Sequence, residues 1–397
     1  MAYASEVDKS AWVVFWAFLR LGLTSFGGPV AHLGYFHAEF VGKRRWLSER
    51  SYVDLVALCQ FLPGPASSQV GMAIGLSRAG YAGALAAWLG FTLPSALVLI
   101  LFAIGLTQFG HVVPAGVLHG LKIVAVAVVA QAVWGMARTL CAGALRITIM
   151  VASSCVALWL PFAFIQVAII AVAAVLGLWV CKPLSRSVPD VLPLGITPRA
   201  GGAWLLLFLV LLLGLPLLAW LWPTTPFLML VDAFYRAGSL VFGGGHVVLP
   251  LLQTEVVSTG WLSNETFVAG YGATQAVPGP LFTFAAFLGA AMNGWLGGVI
   301  ALISIFIPSF LLIVGALPFW EKWRRSTAAQ AALMAVNAAV VGLLVAAFYD
   351  PVWTSAIHTP YDFAFALLAL VALMYWKLPP WLVVLGCGVV AGALSAW

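Results

Sequence analysis

Pro63-Gly64-Pro65 and Pro278-Gly279-Pro280 each fall in the middle of a long apolar stretch. Proline removes a backbone donor and clashes with the preceding turn, while glycine permits a sharp bend. Each tripeptide therefore ends one half-helix and begins another, leaving unpaired N–H groups and a positive helix end at the break. Gly27-Gly28-Pro29 and Gly243-Gly244-Gly245 interrupt two further stretches in the same way. Exposed amides at a helix start are anion-binding chemistry. Hydroxyls and amides gather beside the breaks: Thr24, Ser25, Gln60, Ser67, Ser68 and Gln69, then Thr274, Gln275 and Thr283. These groups hydrogen-bond without fixing a net charge, which suits an oxyanion that must be released. Each alone is equally a helix back-bonder or a packing contact.

The medium around these breaks follows from composition. The chain has 397 residues, 63% hydrophobic and 8% charged, with net charge +6. Soluble domains carry about 25% charged residues, so a water-soluble globule of this size could not cover its surface. Disorder is excluded by the excess of apolar residues. An integral membrane protein remains. Barrel strands would alternate apolar and polar residues over roughly ten positions, whereas runs such as 204–222, 331–348 and 363–376 are unbroken. A spanning helix needs about 20 such residues, so the fold class is all-α. The first ten residues are polar and no small-residue cleavage site follows the first apolar stretch, so no cleavable signal is expected. The 18 Trp suit interfacial belts.

Inside a bilayer, ionisable residues are costly and functional by default. Arg20 and Arg236 are the sharpest cases, since a pair of arginines suits a tetrahedral oxyanion. Snorkelling to an interface, or pairing with Glu39 and Glu255, is the plainer alternative for both. Glu39 and Glu255 are candidates for carrying a coupling proton, because an apolar setting raises a carboxyl pKa; plain loop carboxylates are the alternative. His246 is a third coupling candidate. The six His form no ligand pattern, and the five Cys form no C-x-x-C pair and read as buried small hydrophobes. No metal or cofactor is called for. A membrane reductase would want metal or haem ligands or a C-x-x-C pair, and a transferase clustered acids or a nucleophile with its base. Neither pattern is present, nor is a basic surface for nucleic acid.

Self-comparison shows a duplication. Arg20, Gly22, Phe26, Gly27 and Gly28 match Arg236, Gly238, Phe242, Gly243 and Gly244, 216 residues on. Glu39 matches Glu255, Trp46-Leu47-Ser48 matches Trp261-Leu262-Ser263, and Gln60 matches Gln275. The Pro-Gly-Pro tripeptides match, and Pro94-Ser95 matches Pro308-Ser309. Residues 1–182 form a first repeat and 228–397 a second. Residues 183–227 supply a polar linker and one connecting helix.

Lys and Arg concentrate in cytoplasmic loops. The Trp46 loop carries Lys43, Arg44, Arg45 and Arg50, while its counterpart 256–266 carries neither type. Loop 108–114 has neither, while its counterpart has Lys322, Arg324 and Arg325. Arg138 and Arg146 flank the next loop, and the matching 350–362 is bare. Charge swaps sides at each pair, so the repeats are inverted in topology, as one linking helix requires. An even number of crossings must separate Arg50 from Arg138, so 52–77 is expected to be re-entrant, and by symmetry 267–293. About thirteen helical segments result, nine of them crossing. Inverted repeats with helices interrupted in corresponding positions point to a transport site at the midplane.

The phrase Phe26-Gly27-Gly28-Pro29, then Trp46-Leu47-Ser48, then Gln60-Phe61-Leu62-Pro63-Gly64-Pro65 resembles the signature of the chromate ion transporter family. Phe242-Gly243-Gly244-Gly245-His246, Trp261-Leu262-Ser263 and Gln275-Ala276-Val277-Pro278-Gly279-Pro280 resemble its second half. The resemblance implies a two-domain chromate exporter of the bacterial cytoplasmic (inner) membrane, driven by the proton motive force and conferring chromate resistance. Its expected partners are chromate or a similar oxyanion and membrane lipid, with a homodimer left open. Pro29 is replaced by Gly245 in the second repeat, and Ser67-Ser68 by Phe282-Thr283, so the halves need not contribute equally. Export or exchange of sulfate or another small anion, and an anion channel, remain alternatives.

Overall fold

The structure is a computed structural model, and it describes residues 10–109, 115–160, 165–181, 196–242, 245–324 and 326–394. Among these the regular secondary structure is entirely helical, with no strand. The first repeat holds α1 (Ala11–Thr24), α2 (Gly28–Phe36), a π-helix (His37–Lys43), α3 (Glu49–Phe61) and α4 (Ala66–Phe109). It continues through α5 (Ala115–Leu140), α6 (Ala144–Trp159) and α7 (Ile165–Val180). The connecting helix is α8 (Pro198–Leu221). The second repeat opens with α9 (Pro226–Ser239), α10 (Val248–Val256), α11 (Asn264–Thr274) and α12 (Phe284–Ala316). It closes with α13 (Trp320–Arg324), α14 (Thr327–Ala347), α15 (Thr354–Ala356), α16 (Pro360–Met374) and α17 (Pro380–Leu394). These are seventeen α-helical elements among the described residues, with α4 and α12 each counted once, against about thirteen apolar segments in the sequence.

Helix length and local backbone geometry together mark where the chain turns back. α1 has 14 residues and α3 has 13, about 20 Å each at 1.5 Å per residue. A hydrocarbon core is about 30 Å thick. α4 has the opposite problem, since its 44 residues would reach about 66 Å if straight. The surplus is resolved at Ala79 (φ −139°, ψ 29°) and Gly80 (φ 60°, ψ −152°), where the chain reverses. That second conformation is open essentially to glycine alone. After the reversal Gly75 and Gly83 pack backbone to backbone. α12 repeats the device almost to the degree, at Asn293 (φ −137°, ψ 30°) and Gly294 (φ 60°, ψ −152°), with Gly289 against Gly297.

α1 with α2, and α3 with the first leg of α4, are thus two broken-helix hairpins. α9 with α10, and α11 with the first leg of α12, are their counterparts. Among the described residues five helices are long and apolar enough to cross, namely α4, α5, α8, α12 and α14, while α6, α7, α16 and α17, of 15–16 residues, are shorter apolar helices.

Contacts between loops agree with the charge-based sidedness. On the basic side, Arg78 at the α4 reversal lies 5.0 Å over the ring of Trp46, and Trp204 at the start of α8 donates to the Tyr81 hydroxyl (3.3 Å). On the other side, the first turns of α5 meet two loops that lack Lys and Arg, 256–266 and 350–362. His119 bonds Asp362 at 2.7 Å, and Lys122 lies 3.8 Å from Glu265. Asn293, at the α12 reversal, shares a cavity with Trp261, the counterpart of Trp46. All five Cys are free thiols, four of them buried.

Candidate functional site

The four hairpin tips meet, and they meet reciprocally. The Gly64 N–H donates to the Val241 carbonyl across the repeat boundary (2.6 Å). The Gly279 N–H donates back to the Ser25 carbonyl (3.0 Å). Because Gly64 matches Gly279 and Ser25 matches Val241, the two bonds are one contact used twice, as a two-fold relation demands. The position of a Cβ at Gly64 (φ +119°) would fall 2.6 Å from Ser309 Oγ. At Gly279 (φ +104°) it would fall 2.8 Å from Ser95 Oγ, and Ser95 is the counterpart of Ser309. Glycine is needed at both tips for the left-handed turn and for the close approach to the other repeat. The Pro-Gly-Pro amides therefore serve docking: those of Gly64 and Gly279 are already spent on the opposite repeat.

Around this junction the first repeat, with Ser309 of the second, supplies a cluster of buried neutral polar groups. His32, on α2, is 1% exposed; its Nδ1 lies 3.4 Å from Ser67 Oγ and its ring stands edge-on to Phe91. Gln69 is fully buried and donates to the Pro63 carbonyl (2.7 Å), leaving its Oε1 without a partner. The hydroxyls of Ser25, Ser68, Thr92 and Ser309, and Nε2 of His32, are likewise buried and unpartnered. The first turn of α4, 66–68, adds amides that an α-helix leaves without internal partners. An orphaned buried polar group costs about 1–3 kcal/mol. Several in one place make the junction a candidate site for a polar occupant, and their neutrality suits a multiply hydrogen-bonded anion.

The sequence-predicted residues divide. Ser25, Ser67 and Ser68 stand in this cluster, with Pro63 and Gly64 at its edge. Gly28 borders His246, and Gly27 is exposed. Gln275 is half-buried with Nε2 unpartnered, and Pro278 and Gly279 form the second tip. Thr283 donates its hydroxyl to the Pro280 carbonyl and Thr274 to Gly270, so both are occupied. Gln60 and Thr24 are exposed. Gly243 and Gly244 lie outside the described residues.

The structure does not gather the two arginines at the junction. Arg20 is exposed on α1. Arg236 is committed to carboxylates: Nε and Nη2 bond Asp232 (2.8–3.1 Å), while Nη2 and Nη1 reach Glu255 at 2.9 Å. Glu39 pairs with Arg44 (2.6 Å) and lies 3.7 Å from Lys43. His246 bonds the Tyr271 hydroxyl (2.6 Å).

Sequence reasoning missed His32, Thr92, Ser95, Ser309 and Asp232. The signal for two of them lay in the duplication, read for its differences. His32 corresponds to Val248 and Thr92 to Phe306, polar in one copy and apolar in the other. Ser95 and Ser309 were present in the alignment only as anchors.

The family described as Chromate transporter matches residues 12–178 and 228–392. The chain is 27% identical to a chromate transport protein of Pseudomonas aeruginosa over 366 residues, 87% of this chain and 82% of that one. It is 26% identical to a chromate transport protein of Cupriavidus metallidurans over 390 residues, 94% of this chain and 90% of the other. It is 29% identical to an uncharacterized transporter of Methanocaldococcus jannaschii over 350 residues, 85% of this chain and 84% of that one. No solved structure matches.

Proposed function

The chain belongs to the chromate transporter family, and from that footing we propose that it exports chromate across the cytoplasmic membrane through the junction of its four hairpin tips. One observation carries the location: buried, unpartnered and uncharged polar atoms concentrate there, on Ser25, His32, Ser68, Gln69, Thr92 and Ser309. The chain is a multi-pass membrane protein of a transporter family, and its substrate class is chromate or a similar oxyanion.

Export is the direction the membrane favours. Moving one charge through 100 mV is worth about 2.3 kcal/mol, so an inside-negative potential drives a dianion outward by about 4.6 kcal/mol. Neutral donors hold such an ion without the tight pairing that would slow release. The proton motive force then supplies this potential and, through Glu255, a proton gradient. Glu39, locked to Arg44 in the basic loop, and His246, bonded to Tyr271, are the weaker coupling candidates. Sulfate has the same shape and charge, and a set of hydroxyls and amides distinguishes the two by size alone.

The experiment is uptake of labelled chromate by inverted vesicles under an imposed gradient. The reading expects saturable, gradient-dependent uptake that sulfate competes with weakly. Uptake equal to that of vesicles lacking the protein overturns it, and stronger competition by sulfate moves the substrate to sulfate.

A further inference from the structure

The two repeats match in backbone, yet among the described residues only the second carries a partly buried ion cluster between the legs of its first hairpin. Arg236 and Asp232, one turn apart on α9, form a bidentate pair, and Glu255 on α10 binds the same guanidinium from across the hairpin. Side-chain exposures are 7% for Asp232, 16% for Glu255 and 21% for Arg236. The corresponding first-repeat positions are Trp16, Glu39 and Arg20, where Glu39 turns away to Arg44 and Arg20 faces outward.

Two carboxylates share one guanidinium, leaving one negative charge in excess in a partly buried setting. Among the described residues, no neighbouring element supplies a balancing cation. α12 and α14 contain no Asp, Glu, Lys, Arg or His; α8 contributes only Arg199, exposed at its cytoplasmic end; the turn 245–247 contributes His246, bonded to Tyr271. On α9 itself, Tyr235 donates its hydroxyl to the Phe208 carbonyl. Asp232, with three contacts to Arg236, neutralises the arginine, so Glu255 is the group whose charge is left over.

Two further features give this excess charge a role. A cavity of about 310 Å³ on the outer side is lined by Met229, Trp261 and Asn293, and Met229 precedes Asp232 on the same face of α9. It lies within a turn of the cluster, on the side of the Trp261 loop. At its other end α9 runs through Ser239 to Val241, whose carbonyl accepts the Gly64 amide at the junction. The cluster clamps the legs of the hairpin whose tip holds the first repeat's Pro-Gly-Pro turn.

We propose that Glu255 is the coupling site of the transporter, taking a proton from the outer face once per cycle, with Asp232 and Arg236 as positioning residues. Protonation removes the excess charge and releases α10 from Arg236, so the tip at Val241 shifts against Gly64; deprotonation restores the clamp. The inference rests on the export reading and adds to it a place and a side for proton entry.

The test uses purified full-length protein in inverted vesicles with a pH dye in the lumen, which corresponds to the outer face. Wild-type chromate entry should alkalinise the lumen, and an acid lumen should drive accumulation. One proton moving down one pH unit sustains about a tenfold concentration ratio. Glu255→Gln should lose that tenfold accumulation and the pH dependence while keeping chromate counterflow at zero gradient. Glu255→Asp should retain both, which separates proton coupling from a structural clamp. Asp232→Asn, leaving Glu255 fully paired with Arg236, should also flatten the pH profile. Absence of chromate entry in the wild type overturns the export reading and this proposal with it. Chromate entry without alkalinisation, or wild-type accumulation and pH profile in Glu255→Gln, overturns this proposal alone.

Discussion

Replacing Gly64 with alanine tests whether the junction is as closely built as its distances say. At φ +119° an L-residue is held in a sparsely populated region, at a cost of about 1–3 kcal/mol. The new methyl would also stand 2.6 Å from Ser309 Oγ and 2.8 Å from Gln69 Nε2, and such overpacking costs about 1–3 kcal/mol more. The expected loss is about 2–6 kcal/mol, or roughly 4–12 °C in Tm at about 2 °C per kcal/mol for a large chain. Gly260→Ala isolates the conformational share, because Gly260 has φ +77° and nothing within 4 Å of its Cβ position. Ser309→Ala in the Gly64→Ala background isolates the steric share, and the cycle should return a coupling of about 1–3 kcal/mol. Thermal unfolding in detergent measures all five proteins: the wild type, the Gly64→Ala, Gly260→Ala and Ser309→Ala variants, and the double variant. If Gly64→Ala costs no more than Gly260→Ala, and the cycle with Ser309 shows no coupling, the tips do not meet as described.

Ser68→Ala should move stability and affinity in opposite directions. Removing an unpartnered buried hydroxyl leaves Tm unchanged or raised, while losing a hydrogen bond to a charged ligand, about 1.5–3 kcal/mol, raises the chromate KM about 10–150-fold. Arg236→Gln strands two partly buried carboxylates and should cost about 3–5 kcal/mol, read as a large fall in Tm; Asp232→Asn should cost much less. For sidedness, an impermeant maleimide should label Ser258→Cys from outside intact cells and Lys43→Cys only in inverted vesicles. Both residues are exposed in their loops, and the reverse pattern would invert the topology.

Much of the architecture was legible because bilayer physics leaves few options. Unbroken apolar runs dictated helices, and the Lys and Arg of loops 43–50 and 322–325 fixed sides that the Arg78–Trp46 and Lys122–Glu265 contacts respect. The Pro-Gly-Pro turns announced the breaks. The reversals at Gly80 and Gly294 were harder to place, because a glycine within an apolar run carries no mark distinguishing a tight turn from a packing contact. The use of the tips was misjudged for a similar reason. Sequence shows that Gly64 and Gly279 expose amides, but only the fold shows each amide closing on the opposite repeat. Arg236 looked like a substrate ligand until Asp232, hidden as a single acid in an apolar helix, was seen beside it. His32 has no spacing signature at all; tertiary burial beside Ser67 and Phe91 is what marks it.

The most direct test of the transport site is to locate the anion. Chromium scatters anomalously, so a structure of the protein with chromate bound, phased at the chromium edge, gives its position without assumption. A single chromium peak should lie between the 63–65 and 278–280 turns, with oxygens in reach of Ser68, His32 and the 66–68 amides. A peak away from this junction, such as one held by Arg20 on the outer surface of α1, would contradict the account.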